Sequence, residues 1–268
     1  MRFLRLIQIS RPVGWVLCVI LFLIGIRLSD ANLDFVSLIE MVMFTFPFCL
    51  FLFGINDIYD YKSDRLNPRK KKFFGNFVRK NELVWLRKSC FISLIPIFLI
   101  SFITMNIWNI ITTVLLILIS YAYSAPPFRL KEIPIIESVS NAVIIYLIVM
   151  LGFTFNAFPW ELTTKAYYLL LFIVAYHIFT TIMDYEYDKK VGHKTFAVRF
   201  GKKTAAFVSV LLGLFVYFFG RIQTIEFNLL VLISTLFFAI TFFHTKFAKL
   251  GFYLSILVGI IVGFVYLL

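Results

Sequence analysis

The chain has 268 residues, 61% of them hydrophobic and 34 of them Phe, with a mean hydropathy of +0.93; soluble domains are only about half apolar. This composition excludes a soluble enzyme. The formal charge of +12 is confined to short stretches between apolar runs, which argues against a nucleic-acid binder and for an integral membrane protein built as one all-helical domain, residues 1–268.

A membrane-crossing helix needs about 20 apolar residues to span roughly 30 Å of hydrocarbon. Such runs fall at about 12–28, 35–55, 89–105, 107–123, 135–155, 166–183, 204–222, 227–244 and 248–268, which predicts nine transmembrane helices. The first continues through bulky residues to Arg27 without a small-residue cleavage site, so it reads as a span and not as a signal peptide. Cations set the orientation, because short cytoplasmic loops carry the excess of Lys and Arg. The N-terminus and the segments 56–88, 124–134, 184–203 and 245–250 hold 23 of the 26 Lys and Arg, and only Arg27, Lys165 and Arg221 fall on the other side. The alternation predicts a cytoplasmic N-terminus in a multi-pass protein of the inner or plasma membrane. Cys18, Cys49 and Cys90 are scattered in or beside apolar runs and read as core residues, not as a disulfide or metal set.

Two stretches break the apolar pattern. "NDIYDYKSD", Asn56 to Asp64, closes the second span with three carboxylates and an amide, and "DYEYDK", 184–189, closes the sixth. At 3.6 residues per turn Asn56 and Asp60 share a helical face, as do Asp60 with Asp64 and Asp184 with Asp188. Acids so close repel one another unless a cation lies between them, and ionisable groups at membrane depth mark function by default. Paired to neighbouring Lys and Arg, a single acidic pair would be no more than a solvated membrane border; two such pairs on parallel spans argue for shared metal. Carboxylate and amide oxygens suit Mg2+, which takes one or two carboxylates and completes its shell with water and phosphate oxygens. The implied ligand is therefore a phosphate or diphosphate, and Arg69, Lys70, Lys71, Lys72, Arg129, Lys131, Lys189, Lys190, Lys194 and Arg199 lie on the same side of the membrane.

With these motifs in place the chain resembles the membrane-embedded UbiA-type prenyltransferase superfamily. "NDIYDYKSD" is similar to its NDxxDxxxD motif and "DYEYDKKVGHKT" to its DxxxD motif. The resemblance implies a bundle of nine helices around a central cavity, and Mg2+-dependent transfer of a polyprenyl group from an allylic diphosphate donor to a lipophilic acceptor at the cytoplasmic face, through an allylic carbocation. It implies that Asn56, Asp57, Asp60 and Asp64 hold one metal ion and the diphosphate, and that Asp184 and Asp188 hold a second. "SRP" at 10–12 and "YSAPPFRLKE" at 123–132 resemble segments that bring Arg11, Arg129 and Lys131 to the diphosphate. The second is closest to branches that act on carotenoids, chlorophyllide or isoprenoid glycerol ethers, and points to a lycopene-elongase-type acceptor rather than a quinone precursor.

Several readings stay open beside these. Pro126 and Pro127 end the fourth span, and would equally present Arg129 and Lys131 to solvent. Gly54 serves either close backbone approach or helix packing. Tyr59, Tyr61, Tyr121, Tyr123 and Tyr185 are the aromatic rings nearest the motifs and suit a cation-stabilising wall. His177 is a proton acceptor or a packing residue, and His193 and His244 are border residues. Phosphoribosyl transfer to a lipid phosphate on the same fold, a secondary transporter and a non-catalytic scaffold are the competing functions.

Overall fold

A computed structural model describes residues 2–66, 77–220 and 224–268. Among them every regular element is helical. Eight segments are long and apolar enough to cross a membrane, and a bent pair of helices makes a ninth, as the apolar runs predict. The described residues form two compact units, one running up to Arg129 together with Leu147–Pro159, the other comprising Leu130–Tyr146 and Trp160–Leu268.

In the first unit, α1 (Arg2–Ile9) and α2 (Pro12–Leu28) meet at a 54° bend. The break has a local cause: Pro12 has no N–H to give the helix and excludes helical geometry from the residue before it. Arg11, at the break, takes a left-handed conformation, φ 52°, and Trp15 Nε1 donates to the Ser10 carbonyl at 3.2 Å. After α2 the chain turns into α3 (Phe35–Met43), capped reciprocally by Asp34 and Ser37. The Ser37 backbone N–H holds the Asp34 carboxyl below the usual carboxylate range. α4 (Phe46–Asp60) follows with a proline in its first turn, and α3 and α4 together make one membrane-length segment. Then come α5 (Leu83–Ile92), α6 (Leu94–Ile103) and α7 (Ile107–Ser124). Glu40 of α3 is fully buried and accepts from Asn109 Nδ2 at 3.0 Å, and Ser101 Oγ donates to Asn109 Oδ1 at 2.7 Å. This polar chain ties α3 to α6 and α7. The three cysteines are buried and free, as their spacing suggests. Gly54 serves packing, since a Cβ there would lie 2.5 Å from Cys90 Sγ of α5.

Helix α8 (Ile136–Phe153) gives its first half to the second unit and its remainder to the first. The second unit continues with α9 (Pro159–Val191), α10 (Phe196–Phe200), α11 (Lys202–Phe219), α12 (Ile225–Phe243) and α13 (Ala248–Leu267). Its core centres on Phe179, whose ring lies 4.6 Å from that of Phe238. Phe218, Phe219, Leu257 and Phe264 are among many large apolar side chains left exposed, the pattern of a surface solvated by lipid.

Candidate active site

The first acidic motif lies at the end of α4. Asn56 and Asp60 share its last turn, and Asp57 and Asp60 are buried. One expectation needs correction: α4 stops at Asp60, residues 61–63 form a turn, and Asp64 opens a short 3-10 helix, so Asp60 and Asp64 do not share a continuous helical face. Within that turn Ser63 Oγ donates to the Asp60 carbonyl at 3.0 Å. Asp64 nonetheless stays buried, at 6% exposure.

Among the described residues, Arg11 and Arg129 reach this motif. Arg11, aimed by the break before α2, places Nη2 2.8 Å from Asp57 Oδ1, and its guanidinium carbon stands 4.4 Å above the Phe53 ring. Arg129 follows the cis Pro126–Pro127 bond with φ 41°. Its Nη2 lies 3.3 Å from Asp60 Oδ1. The proline turn therefore directs Arg129 to the acidic motif and does not simply present it to solvent. Asn56 Nδ2 donates to Ser124 Oγ at 3.3 Å, and the hydroxyls of Tyr59 and Tyr121 are 3.3 Å apart. Arg69, with Lys70, Lys71, Lys72 and Arg221, lies outside the described residues.

The second motif sits within the second unit near the end of α9. Asp184 is half-buried and Asp188 buried, both on one uninterrupted helix at the expected spacing. Gly192, at φ 81°, ends α9, and the His193 N–H returns to the Asp188 carbonyl at 2.9 Å, the long backward bond of a glycine-terminated helix. Thr195 Oγ1 donates to Asp188 Oδ2 at 3.2 Å, and His193 Nδ1 lies 3.3 Å from Glu132 Oε1. Lys131 is half-buried and Lys194 exposed. Lys202 stands 4.5 Å from the centre of the Tyr185 ring, so that face already holds a cation. His177 Nδ1 lies 3.0 Å from Ser138 Oγ.

One buried acid of this region escaped the sequence reading. Glu137, 1% exposed at the start of α8, accepts the Phe196 backbone N–H. Thr181 Oγ1 accepts the neighbouring Ala197 N–H at 3.2 Å. Together they anchor the segment that carries Lys194 and Thr195. Nothing marks Glu137 out except that it is an acid near the start of an apolar run. Replacing it with Leu would strand a buried N–H, a loss of about 1–3 kcal/mol, whereas Gln keeps an acceptor. Thermal unfolding is expected to place Glu137→Leu well below wild type and Glu137→Gln near it; equal losses would mean the contact is not what matters.

Among the described residues no three His, Cys, Asp or Glu side chains stand close enough to hold a metal ion by themselves. Asp57, Asp60 and Asp64, all buried, offer oxygen donors only, the kind of ligand that Mg2+ takes alongside water and phosphate oxygens.

The profile of the UbiA prenyltransferase family matches residues 18–250. The chain belongs to the UbiA prenyltransferase family. Relatives within reach include a lycopene elongase/hydratase of Corynebacterium glutamicum, 29% identical over 79% of this chain and 75% of that protein. A digeranylgeranylglyceryl phosphate synthase of Thermococcus kodakarensis is 26% identical over 80% and 75%. The fold matches that of a UbiA homolog from Archaeoglobus fulgidus, solved with DMAPP and Mg2+, at a TM-score of 0.66 and 22% identity over 98% of this chain and 99% of that one. This UbiA-family chain is thus a multi-pass membrane prenyltransferase, and the transporter and scaffold alternatives fall away.

Proposed function

We propose that this chain transfers a polyprenyl group from an allylic prenyl diphosphate to a bulky, lipophilic isoprenoid acceptor of the carotenoid class, with its acidic helix ends facing the cytoplasm. The observation that carries the proposal is the pairing of Asp57 with Arg11 and of Asp60 with Arg129 at the end of a membrane-length helix. Buried acids and cations in one place can take a metal and a phosphate together. Kinship with lycopene elongase/hydratases supports a carotenoid-like acceptor, and the concentration of 23 of 26 cations on one side supports the orientation.

Asn56, Asp57, Asp60 and Asp64 would hold one Mg2+ ion, and Asp184 and Asp188 a second. When bound, Mg2+ neutralises charge on the diphosphate and makes it a better leaving group. Arg11, Arg129, Lys131 and Lys194, with Arg69, bind phosphate oxygens and stabilise the negative charge that grows on them as the C–O bond weakens. The allylic cation left behind requires a dry, electron-rich wall. The faces of Tyr59 and Tyr121 supply it, each worth about 2 kcal/mol when desolvated.

The test is to incubate the purified protein, in lipid nanodiscs, with geranylgeranyl diphosphate and lycopene. Mg2+-dependent diphosphate release with a matching prenylated carotenoid is expected, and EDTA abolishes it. Turnover with phosphoribosyl diphosphate and a lipid phosphate, and none with the prenyl donor, would replace this reading with the phosphoribosyl one.

A further inference from the structure

Asp57 and Asp60 do not wait for metal as bare carboxylates. Each already has a cation: Arg11 at 2.8 Å and Arg129 at 3.3 Å. Both arginines occupy left-handed backbone positions, φ 52° and φ 41°, which non-glycine residues keep only where surroundings impose them. Pro12 directly follows Arg11, and Pro126 and Pro127 lie just before Arg129. Asp57 is 4% exposed and the Arg11 side chain 18%, so neither charge has water enough to be left alone. Arg11 also keeps a buried Nε without a hydrogen-bond partner, a donor spare for another acceptor.

We infer that Arg11 and Arg129 are resident counter-ions that give way by exchange. In the empty site they neutralise Asp57 and Asp60. When Mg2+ takes the carboxylates, the guanidinium groups turn to the phosphate oxygens that arrive with it. The two pairs carry two positive and two negative charges. Metal entering alone would add two positive charges to a poorly hydrated site and compete with both arginines for the carboxylates. Diphosphate entering alone would meet two carboxylates of its own sign. Each ligand removes the penalty of the other, so the two bind as a coupled pair, and the empty enzyme resists loading with metal only. The exchange rests on the reading of this motif as a metal–diphosphate site.

The test uses Mn2+ as a paramagnetic stand-in for Mg2+, titrated into full-length protein in nanodiscs and followed by electron paramagnetic resonance. Labelled pyrophosphate binding at saturating Mn2+ is measured alongside. Arg11→Gln is expected to bind Mn2+ alone more tightly than wild type, by a factor within the roughly 5- to 150-fold range of ordinary coupling between ligands, while pyrophosphate binding weakens by a comparable factor. Arg11→Lys keeps the charge and should leave the affinity for Mn2+ alone near wild type. Arg129→Gln provides an independent variant should Arg11→Gln unfold, with thermal unfolding as the check. If wild type binds the Mn2+–pyrophosphate complex but neither Gln variant gains affinity for Mn2+ alone, the arginines are static ligands and the exchange is wrong. If wild type binds no Mn2+ even with pyrophosphate, the metal–diphosphate reading fails along with it.

Discussion

Asp60→Asn is expected to lower prenyl transfer by about 10²–10³-fold, the usual cost of removing one preorganised electrostatic contact from an active site, while leaving the fold intact. The amide is nearly isosteric with the carboxylate, and its oxygen still accepts from Arg129 Nη2, which lies 3.3 Å away in the native site. What disappears is the negative charge that would hold a cation against the leaving diphosphate. Because that demand peaks as the C–O bond breaks, kcat and kcat/KM should fall together, the signature of an interaction made in the transition state. Asp60→Ala is expected to behave differently. It removes the carboxylate from a largely buried ion pair, and losing one member of such a pair costs up to about 3–5 kcal/mol, so stability falls as well as rate. Diphosphate release from geranylgeranyl diphosphate, read beside thermal unfolding in the same nanodiscs, separates the two effects. A wild-type rate in Asp60→Asn would remove this carboxylate from the chemistry.

A second large effect on stability is expected away from the acids, where α2 crosses the end of α8. A Cβ on Gly25 would stand 1.9 Å from the Val149 carbonyl oxygen, and one on Gly152 would stand 2.1 Å from that of Phe22. Both obstacles are backbone, so no side-chain rotation relieves them. In a membrane, helices associate through close packing and not through the hydrophobic effect, and small residues permit that approach. Gly25→Ala and Gly152→Ala are each expected to cost about 3 kcal/mol, the upper part of the range for overpacking. The double variant should cost less than the sum, because one separation of the helices makes room for both methyl groups; the coupling is expected at about 0.5–3 kcal/mol. Gly259→Ala is the control. Its nearest neighbour to an added Cβ is Leu230 Cδ1 at 3.8 Å, so the change should be neutral or slightly stabilising, as for other helical Gly positions. Denaturant unfolding in mixed micelles measures all four, and additive losses at Gly25 and Gly152 would show that the crossing is not shared.

Much of the membrane architecture was readable before any coordinates. Span positions depend on apolar length alone, so the runs at 107–123 and 135–155 reappear as α7 and α8 with ends moved by one or two residues. Asp184 and Asp188 kept their spacing because no helix breaker comes before Gly192. Asp60 and Asp64 lost their continuous face because α4 stops at Asp60 and the chain turns before Asp64. A periodicity argument counts residues and does not see where a helix ends. Glu137 and Glu40 were passed over for a related reason. Each is an isolated acid in an apolar run, and only its partners, the Phe196 N–H and Asn109, show why burial is tolerated.

The amino-acid sequence by itself determined how often the chain crosses the bilayer, the family to which it belongs, and the kinds of atom offered to a ligand, because these depend on composition and on spacing within single helices. Tertiary structure decided which cation holds which carboxylate. Arg11 is 46 positions from Asp57 and Arg129 is 69 from Asp60. No local rule links residues so far apart; proline-directed turns and close helix packing bring them together, and the low dielectric around them keeps them paired.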